Sequence, residues 1–207
     1  MEMDAETLTA QERDRIERTF AALEARGVHG VFVRDRAAAL KKLLEAIPKG
    51  AAVAHGTSTT LIEIGFVDAM KRPDSGVRYL NAEWQAENDA ARRGRLRARL
   101  SVDADIFLGS VQAVCETGEV VGADASGSRQ AFYTYGPPRV IWVAGRNKLV
   151  PSLEDGLRRV REVALPLEDR RIRASGGTGS HVGKFVVYER ERPGRITLVL
   201  VGEDLGF

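Results

Sequence analysis

The sequence predicts an α/β domain: a mostly parallel sheet layered between helices, with an antiparallel part added. Three observations predict it. Short apolar, β-branched runs alternate with stretches of helical spacing, and that order needs crossover connections, hence parallel strands covered on both faces. The segment 111–123, VQAVCETGEVVGA, reads as two strands around Thr117-Gly118, a tight hairpin. The last two apolar runs, 185–188 and 196–201, extend the antiparallel part. A length of 207 residues suits one large domain, whose folding hides roughly 70% of the unfolded surface. We divide it into an N-terminal helical extension, 1–27, and a single domain, 28–207.

The elements follow in order. Residues 8–26 place Ile16, Phe20 and Leu23 at i, i+4 and i+7, an amphipathic helix ended by Gly27. Val28–Val33 is a β-rich run. Residues 36–47 return to helical spacing through Leu40, Leu43, Leu44 and Ile47 and stop at Pro48. Ala51–Ala54 is a short strand, followed by the loop 55–59 and a helix over about 60–70. Val77–Leu80 is a further strand and 83–99 a charged helix. Ala104–Leu108 is apolar enough for a central strand. After the hairpin, a Gly/Ser loop at 124–128 leads into a short helix, and Arg139–Ala144 is a strand bounded by Pro137-Pro138 and Gly145. Residues 152–164 form a helix with Ser152 as N-cap and Pro166 as its stop.

Composition excludes several functions. The single cysteine, Cys115, cannot make an internal disulfide, a four-cysteine zinc site or an iron–sulfur cluster. It points to a reduced, cytoplasmic compartment, and on an apolar strand it reads as packing. The apolar runs fall far short of the ~20 residues of a membrane span, and the acidic start, Met1-Glu2-Met3-Asp4, is unlike a signal peptide. A net charge of +2 argues against a general nucleic-acid binder. The arginines at 92, 93, 95, 97 and 99 lack interleaved aromatics and lie near Glu83, Glu87 and Asp89, so they read as a solvated helix face.

Three segments are candidate sites. In AHGTSTTLIEIG, 54–65, a strand ends in a loop feeding a helix. Gly56 permits close approach there, and Thr57, Ser58 and Thr59 supply hydroxyls near unsatisfied amides that favour a phosphate or carboxylate. Against this, Thr60 and Glu63 make a capping box that simply starts the helix. In CETGEVVGADASGSR, 115–129, Glu116 and Glu119 flank the hairpin turn, while Asp124 and Arg129 bracket a Gly/Ser loop containing Gly127. Glu116, Glu119 and Asp124 are candidate nucleophiles or bases; solvated turn carboxylates and a helix cap are the plainer alternative. In Gly145-Arg146-Asn147-Lys148, after a strand end, Asn147 can donate and accept while Lys148 offers a point charge to an anion. The alternative is a turn with Asn147 left-handed and Lys148 solvated. Other strings fail. GGTGSHVGK, 176–184, departs from a phosphate loop at Thr178 and Phe185. His29, His55 and His181 lack metal-like spacing. Neither G-x-S-x-G nor G-x-G-x-x-G occurs after an early strand.

Four pieces in order, GTSTTLIEIG (56–65), ADIFLGSVQAVCETGEVVGADASGSR (104–129), YGPPRVIWVAGRNKLVPSLEDGLRRVRE (135–162) and GRITLVLVGEDLGF (194–207), resemble the lactate-utilisation (LUD) domain family, including lactate utilisation protein C. The resemblance implies a fold like that of glucosamine-6-phosphate deaminase, ribose-5-phosphate isomerase and the CoA transferases. It implies a role in bacterial oxidation of L-lactate to pyruvate beside iron–sulfur partner proteins, with site positions around Ser58, 116–119, Asp124, Gly127, Arg129 and Asn147-Lys148. Two departures stand out. Residues 174–184 carry no cysteine cluster, so no cofactor or metal is expected on this chain and any cluster belongs to partners. Ser128 replaces the asparagine usual between Gly127 and Arg129. The expected ligand is a small carboxylate or phosphate, with no nucleic acid or membrane as partner, and a homo-oligomer is compatible with the sequence. The competing functions are an enzyme of CoA-transferase or sugar-phosphate isomerase type, and a non-catalytic ligand-binding regulator.

Overall fold

The computed structural model of the protein describes residues 2–3 and 8–207. Met1 and residues 4–7, on which the reading of the acidic start partly rests, lie outside the described residues. After strand β1 (Glu2–Met3) comes helix α1 (Ala10–Ala25). It opens on a capping box in which Thr9 Oγ1 accepts the Glu12 N–H and Glu12 Oε2 accepts the Thr9 N–H. Strand β2 is Val28–Val33, and helix α2 (Arg36–Ala46) is capped by Asp35. Its expected apolar stripe divides, with Leu43 fully buried and Leu44 43% exposed.

Strand β3 (Ala52–His55) leads into two short helices, α3 (Thr59–Glu63) and α4 (Phe66–Lys71), where one helix over about 60–70 is expected. The break is at Gly65, φ 77°, a left-handed backbone that costs other residues about 1–2 kcal/mol and glycine almost nothing. The cap also differs. Ser58 Oγ accepts the Leu61 N–H, which frees Thr60 and Glu63 from the expected capping box. After β4 (Arg78–Tyr79), the charged stretch forms two helices, α5 (Leu80–Gln85) and α6 (Ala90–Asp103), because Asp89 caps a second start.

Strands β5 (Ile106–Gly109), β6 (Ala113–Cys115) and β7 (Val120–Asp124) follow, the last two pairing as the expected hairpin. Then come α7 (Gln130–Thr134), β8 (Arg139–Gly145), a 3-10 turn over Arg146–Lys148 and β9 (Leu149–Val150). Helix α8 (Leu153–Arg159) does not stop at Pro166. It passes through a π turn, Val160–Ala164, into α9 (Leu165–Ala174). The wide turn interrupts the i→i−4 ladder, so Pro166 enters in the first turn of α9, where its missing N–H is tolerated. Strands β10 (Lys184–Tyr188) and β11 (Ile196–Val201) complete the order.

The main sheet has seven strands in the order β1-β2-β11-β8-β5-β3-β4, parallel throughout. Thus β11 is central, with Ile196 beside Val28 and Val140, and only β10 of the last two runs is antiparallel. The physical reason is the pattern. In β11, Ile196, Leu198 and Leu200 enter one core while Val199 and Val201 enter the other, as a strand covered on both faces requires. One core holds Phe20, Leu23, Leu80, Leu100, Phe107 and Trp142 under α1, α5, α6 and α7. The opposite core holds Leu43, Leu61, Phe66, Val143 and Val199 under α2, α3 and α4. The layering is therefore α/β/α.

A second, mixed sheet, β10-β7-β6-β9, is four-stranded. Cys115, Val121 and Val160 form its own small core with α8 and the π turn. Burial pushes the Cys115 thiol up to about 12, so this cysteine packs rather than reacts. Among the described residues, no helix is long and apolar enough to cross a membrane. The main-sheet strands β3, β5, β8 and β11 end on a common edge, and the loops beyond them meet the end of β7 and the π turn.

Candidate functional site

A cleft of about 330 Å³ lies where those segments meet. Thr57 to Thr60 come from the loop after β3, Ser110 to Gln112 follow β5, and Lys148 follows β8. Asp124 and Arg129 enter from the end of β7, Val160 and Ala164 from the π turn, and Ser180 to Val182 from the segment before β10. Ligands in open parallel α/β sheets bind beyond the carboxyl ends of the strands, and π turns recur at functional positions.

Lys148 is the most deeply buried charged side chain lining the cleft. It is 2% exposed, and its Nζ donates to Ser110 Oγ at 2.8 Å and to Thr60 Oγ1 at 3.0 Å. Thr60 Oγ1 lies 3.2 Å from Ser110 Oγ, so the three atoms close a triangle. Among the described residues no carboxylate pairs with Lys148 within ion-pair distance. Burial, reinforced by the charges of Arg159 and Arg129 and weakly opposed by Glu63, pushes its pKa from 10.5 down to about 7. The amine is thus poised between charge states at neutral pH.

The surroundings hold this triangle in place. Arg159 donates to the Asn147 carbonyl at 3.0 Å and the Gln112 carbonyl at 2.6 Å, tying the 3-10 turn to the loop after β5. Asn147 is not left-handed, since no non-glycine residue described has positive φ. Instead it clamps the segment after β11, accepting the Leu205 N–H at 3.1 Å and donating to the Gly206 carbonyl at 3.2 Å. Glu63 accepts the Gly206 N–H at 2.7 Å. A Cβ on Gly206, φ 58°, would fall 2.2 Å from Thr60 Oγ1 and 3.3 Å from Lys148 Nζ, so only glycine closes the cleft floor here. Arg129 staples the other wall. It donates to Asp124 from its backbone N–H (3.1 Å) and Nε (3.3 Å), to the Ala123 carbonyl (2.9 Å) and to the Thr57 carbonyl (3.3 Å). Gly56 makes room for it, because a Cβ there would stand 2.6 Å from the Arg129 side chain.

Of the residues proposed from sequence, Thr57, Ser58, Thr59, Asp124, Arg129 and Lys148 line the cleft. Gly56 and Asn147 support it from behind. Gly127 turns at φ 86° against Lys184. Glu116 and Glu119 are placed elsewhere: Glu116 accepts from Arg15 at 2.7 Å, and Glu119 pairs with Arg26 and Thr117. Both acids clamp α1 onto the hairpin. Burial of the Glu119 carboxyl pushes its pKa up, but Thr117, its own backbone amide and Arg26 together hold it below the usual value. The expected helix N-terminus after β3 is a five-residue helix already capped by Ser58, so hydroxyls and arginines, not a macrodipole, give the cleft its polarity.

The sequence reading missed Ser110 and undervalued Thr60 and His181. Ser110 follows a central strand directly, the same signal that drew attention to the loops after β3 and β8. Among the described residues no group of His, Cys, Asp and Glu is arranged to hold a metal ion.

The fold and cleft define a layered α/β protein with a polar pocket at the carboxyl edge of its main sheet. The LUD domain model matches residues 16–201, from within α1 to the end of β11, and the chain belongs to the LUD domain family. The fold is similar to the crystal structure of a DUF162 family protein from Deinococcus radiodurans, with a TM-score of 0.53 and 12% identity over 94% of this chain and 99% of that one. At that identity the likeness speaks for the fold alone. No curated protein gives a significant match.

Proposed function

We propose that this chain is a component of bacterial L-lactate oxidation to pyruvate, binding a small carboxylate in its cleft and acting beside iron–sulfur partner proteins. Membership of the LUD domain family supports the setting. The observation that carries the ligand class is Lys148, a buried amine whose partners are two hydroxyls rather than a carboxylate. A buried ammonium without a counter-ion is costly, and an incoming carboxylate would supply one. Among the described residues that line the cleft, Arg129 and Arg171 each already face a carboxylate, Asp124 and Glu168, whereas the Lys148 amine faces two hydroxyls.

The test is calorimetric titration of L-lactate and pyruvate into the full chain, paired with Lys148→Met. Binding by the wild type and its loss in the variant support the reading, as does growth failure on L-lactate after gene deletion together with co-purification of iron–sulfur proteins. A wild type that binds neither acid, with unaffected growth of the deletion strain, refutes it. At 100 times its dissociation constant a ligand raises stability by about 2.7 kcal/mol, so thermal shift gives an independent check.

A further inference from the structure

Ser110 is held more firmly than a loop serine needs to be. Its carbonyl accepts the Tyr133 hydroxyl at 3.1 Å. Gly109 lets that ring approach, since a Cβ there would lie 1.8 Å from the hydroxyl oxygen. The side chain then points its Oγ at Lys148 Nζ, 2.8 Å away, on the cleft floor. With the amine neutral, the triangle would close head to tail, with Lys148 donating to Thr60 and Thr60 to Ser110, and the Ser110 hydroxyl turned to donate to the amine lone pair. With the amine charged, Lys148 donates to both, and Ser110 is left with the Val111 carbonyl at 3.4 Å, long for a hydroxyl donor.

We propose that Ser110 is a nucleophile, Lys148 its general base and Thr60 the positioning residue, and that this dyad accepts an acyl group from an activated ester or thioester. Serine–lysine pairs are one solution to activating a hydroxyl, alongside serine–histidine. In the first step Ser110 Oγ bonds to the acyl carbonyl carbon while its proton passes to Lys148 Nζ. The tetrahedral species then collapses and the bond to the leaving oxygen or sulfur breaks. The leaving group takes the proton back from Lys148, giving O-acyl-Ser110 and a free alcohol or thiol. Water or a second acceptor repeats the sequence in reverse and restores Ser110. The amine's pKa near 7 suits it to both halves of that cycle.

The inference goes beyond carboxylate binding and is separable from it. Binding needs the charged amine and acylation the neutral one, so the two run in opposite directions with pH.

The experiment uses p-nitrophenyl acetate and the full chain, following nitrophenolate release and locating the adduct by peptide mass spectrometry. A stoichiometric burst is expected, with a single acetyl group on the Ser110 oxygen and a rate that rises with pH and levels off above about 7. Ser110→Ala loses the burst and Lys148→Met slows it by about 100-fold or more. Thr60→Val keeps the adduct and moves the midpoint of the pH profile. An acetyl group on the Lys148 nitrogen, or folded wild-type protein without an adduct on Ser110, overturns the proposal. Because the adduct is located on unaltered protein, this result does not depend on any variant folding.

Discussion

Replacing Lys148 with methionine removes a buried titratable group while keeping most of its volume, and the effect on stability has a definite pH signature. The Lys148 pKa falls from 10.5 in the unfolded chain to about 7 in the folded protein, through burial first and then the charges of Arg159 and Arg129. Between those values the unfolded chain holds the proton more fully than the folded one, so wild-type stability gains from this site as pH rises. The limiting slope is about 1.4 kcal/mol per pH unit. From pH 6 to pH 9 the folded amine loses its proton part-way through, and integration over that interval leaves a gain of about 3 kcal/mol for the wild type relative to Lys148→Met. Below about pH 7 the wild type carries the whole cost of a charged, counter-ion-free amine, and the methionine variant is then the more stable protein. Urea unfolding of both proteins at pH 6, 7, 8 and 9 measures this directly, because other titrating groups cancel in the difference. A stability difference that stays flat across that range refutes the reasoning.

Three further outcomes follow from the geometry. Carboxylate affinity should weaken by up to about tenfold per pH unit above 7 as Lys148 loses its proton; titrations of L-lactate at pH 6 and 9 check this, and an affinity independent of pH counts against Lys148 as the counter-ion. Gly109→Ala should destabilise by about 1–3 kcal/mol, because its new methyl lies 1.8 Å from the Tyr133 hydroxyl; an unchanged melting temperature would show that the ring yields freely. Glu119→Gln should weaken the clamp of α1 on the hairpin by about 1 kcal/mol while leaving carboxylate binding intact, and a loss of binding would place Glu119 in the cleft's chemistry after all.

Much of the architecture is legible in the sequence. Strand β2 has the limits its β-branched run suggests, and α1 buries the residues its spacing selects. The hairpin turns where Thr117-Gly118 places it, with Gly118 at φ 95°. The misreadings share a cause. Gly65 and Asp89 divide helices that periodicity alone joins, and the π turn carries a helix past the Pro166 that periodicity takes as its end. Each is a local backbone choice, made by a glycine at positive φ, a capping carboxylate or a wide turn, that the helical period does not register. The placement of β11 is different in kind. Its run, apolar apart from Thr197, is visible in the sequence, but which strands flank it is not.

The candidate site shows the same division. Thr57, Ser58, Thr59, Asp124, Arg129 and Lys148 could be picked out because each sits near the end of an apolar run, where loops carry function. Glu116 and Glu119 are equally suitable by sequence and differ in having Arg15 of α1 and Arg26 at its C-cap as partners, at separations of 101 and 93 residues.

By itself, then, the sequence determined the α/β class, most of the strands, the hairpin and the Ser152 cap, because helical and strand periods, capping hydroxyls and turn glycines act over a few residues. Only the tertiary structure decided the chemistry. Thr60, Ser110 and Lys148 are 50, 38 and 88 residues apart in pairs, and they meet only because the strand order sets β3, β5 and β8 side by side with their carboxyl ends on one edge. Burial at that edge then turns an ordinary lysine, which the sequence presents as a point charge, into an amine whose pKa is pushed down to about 7.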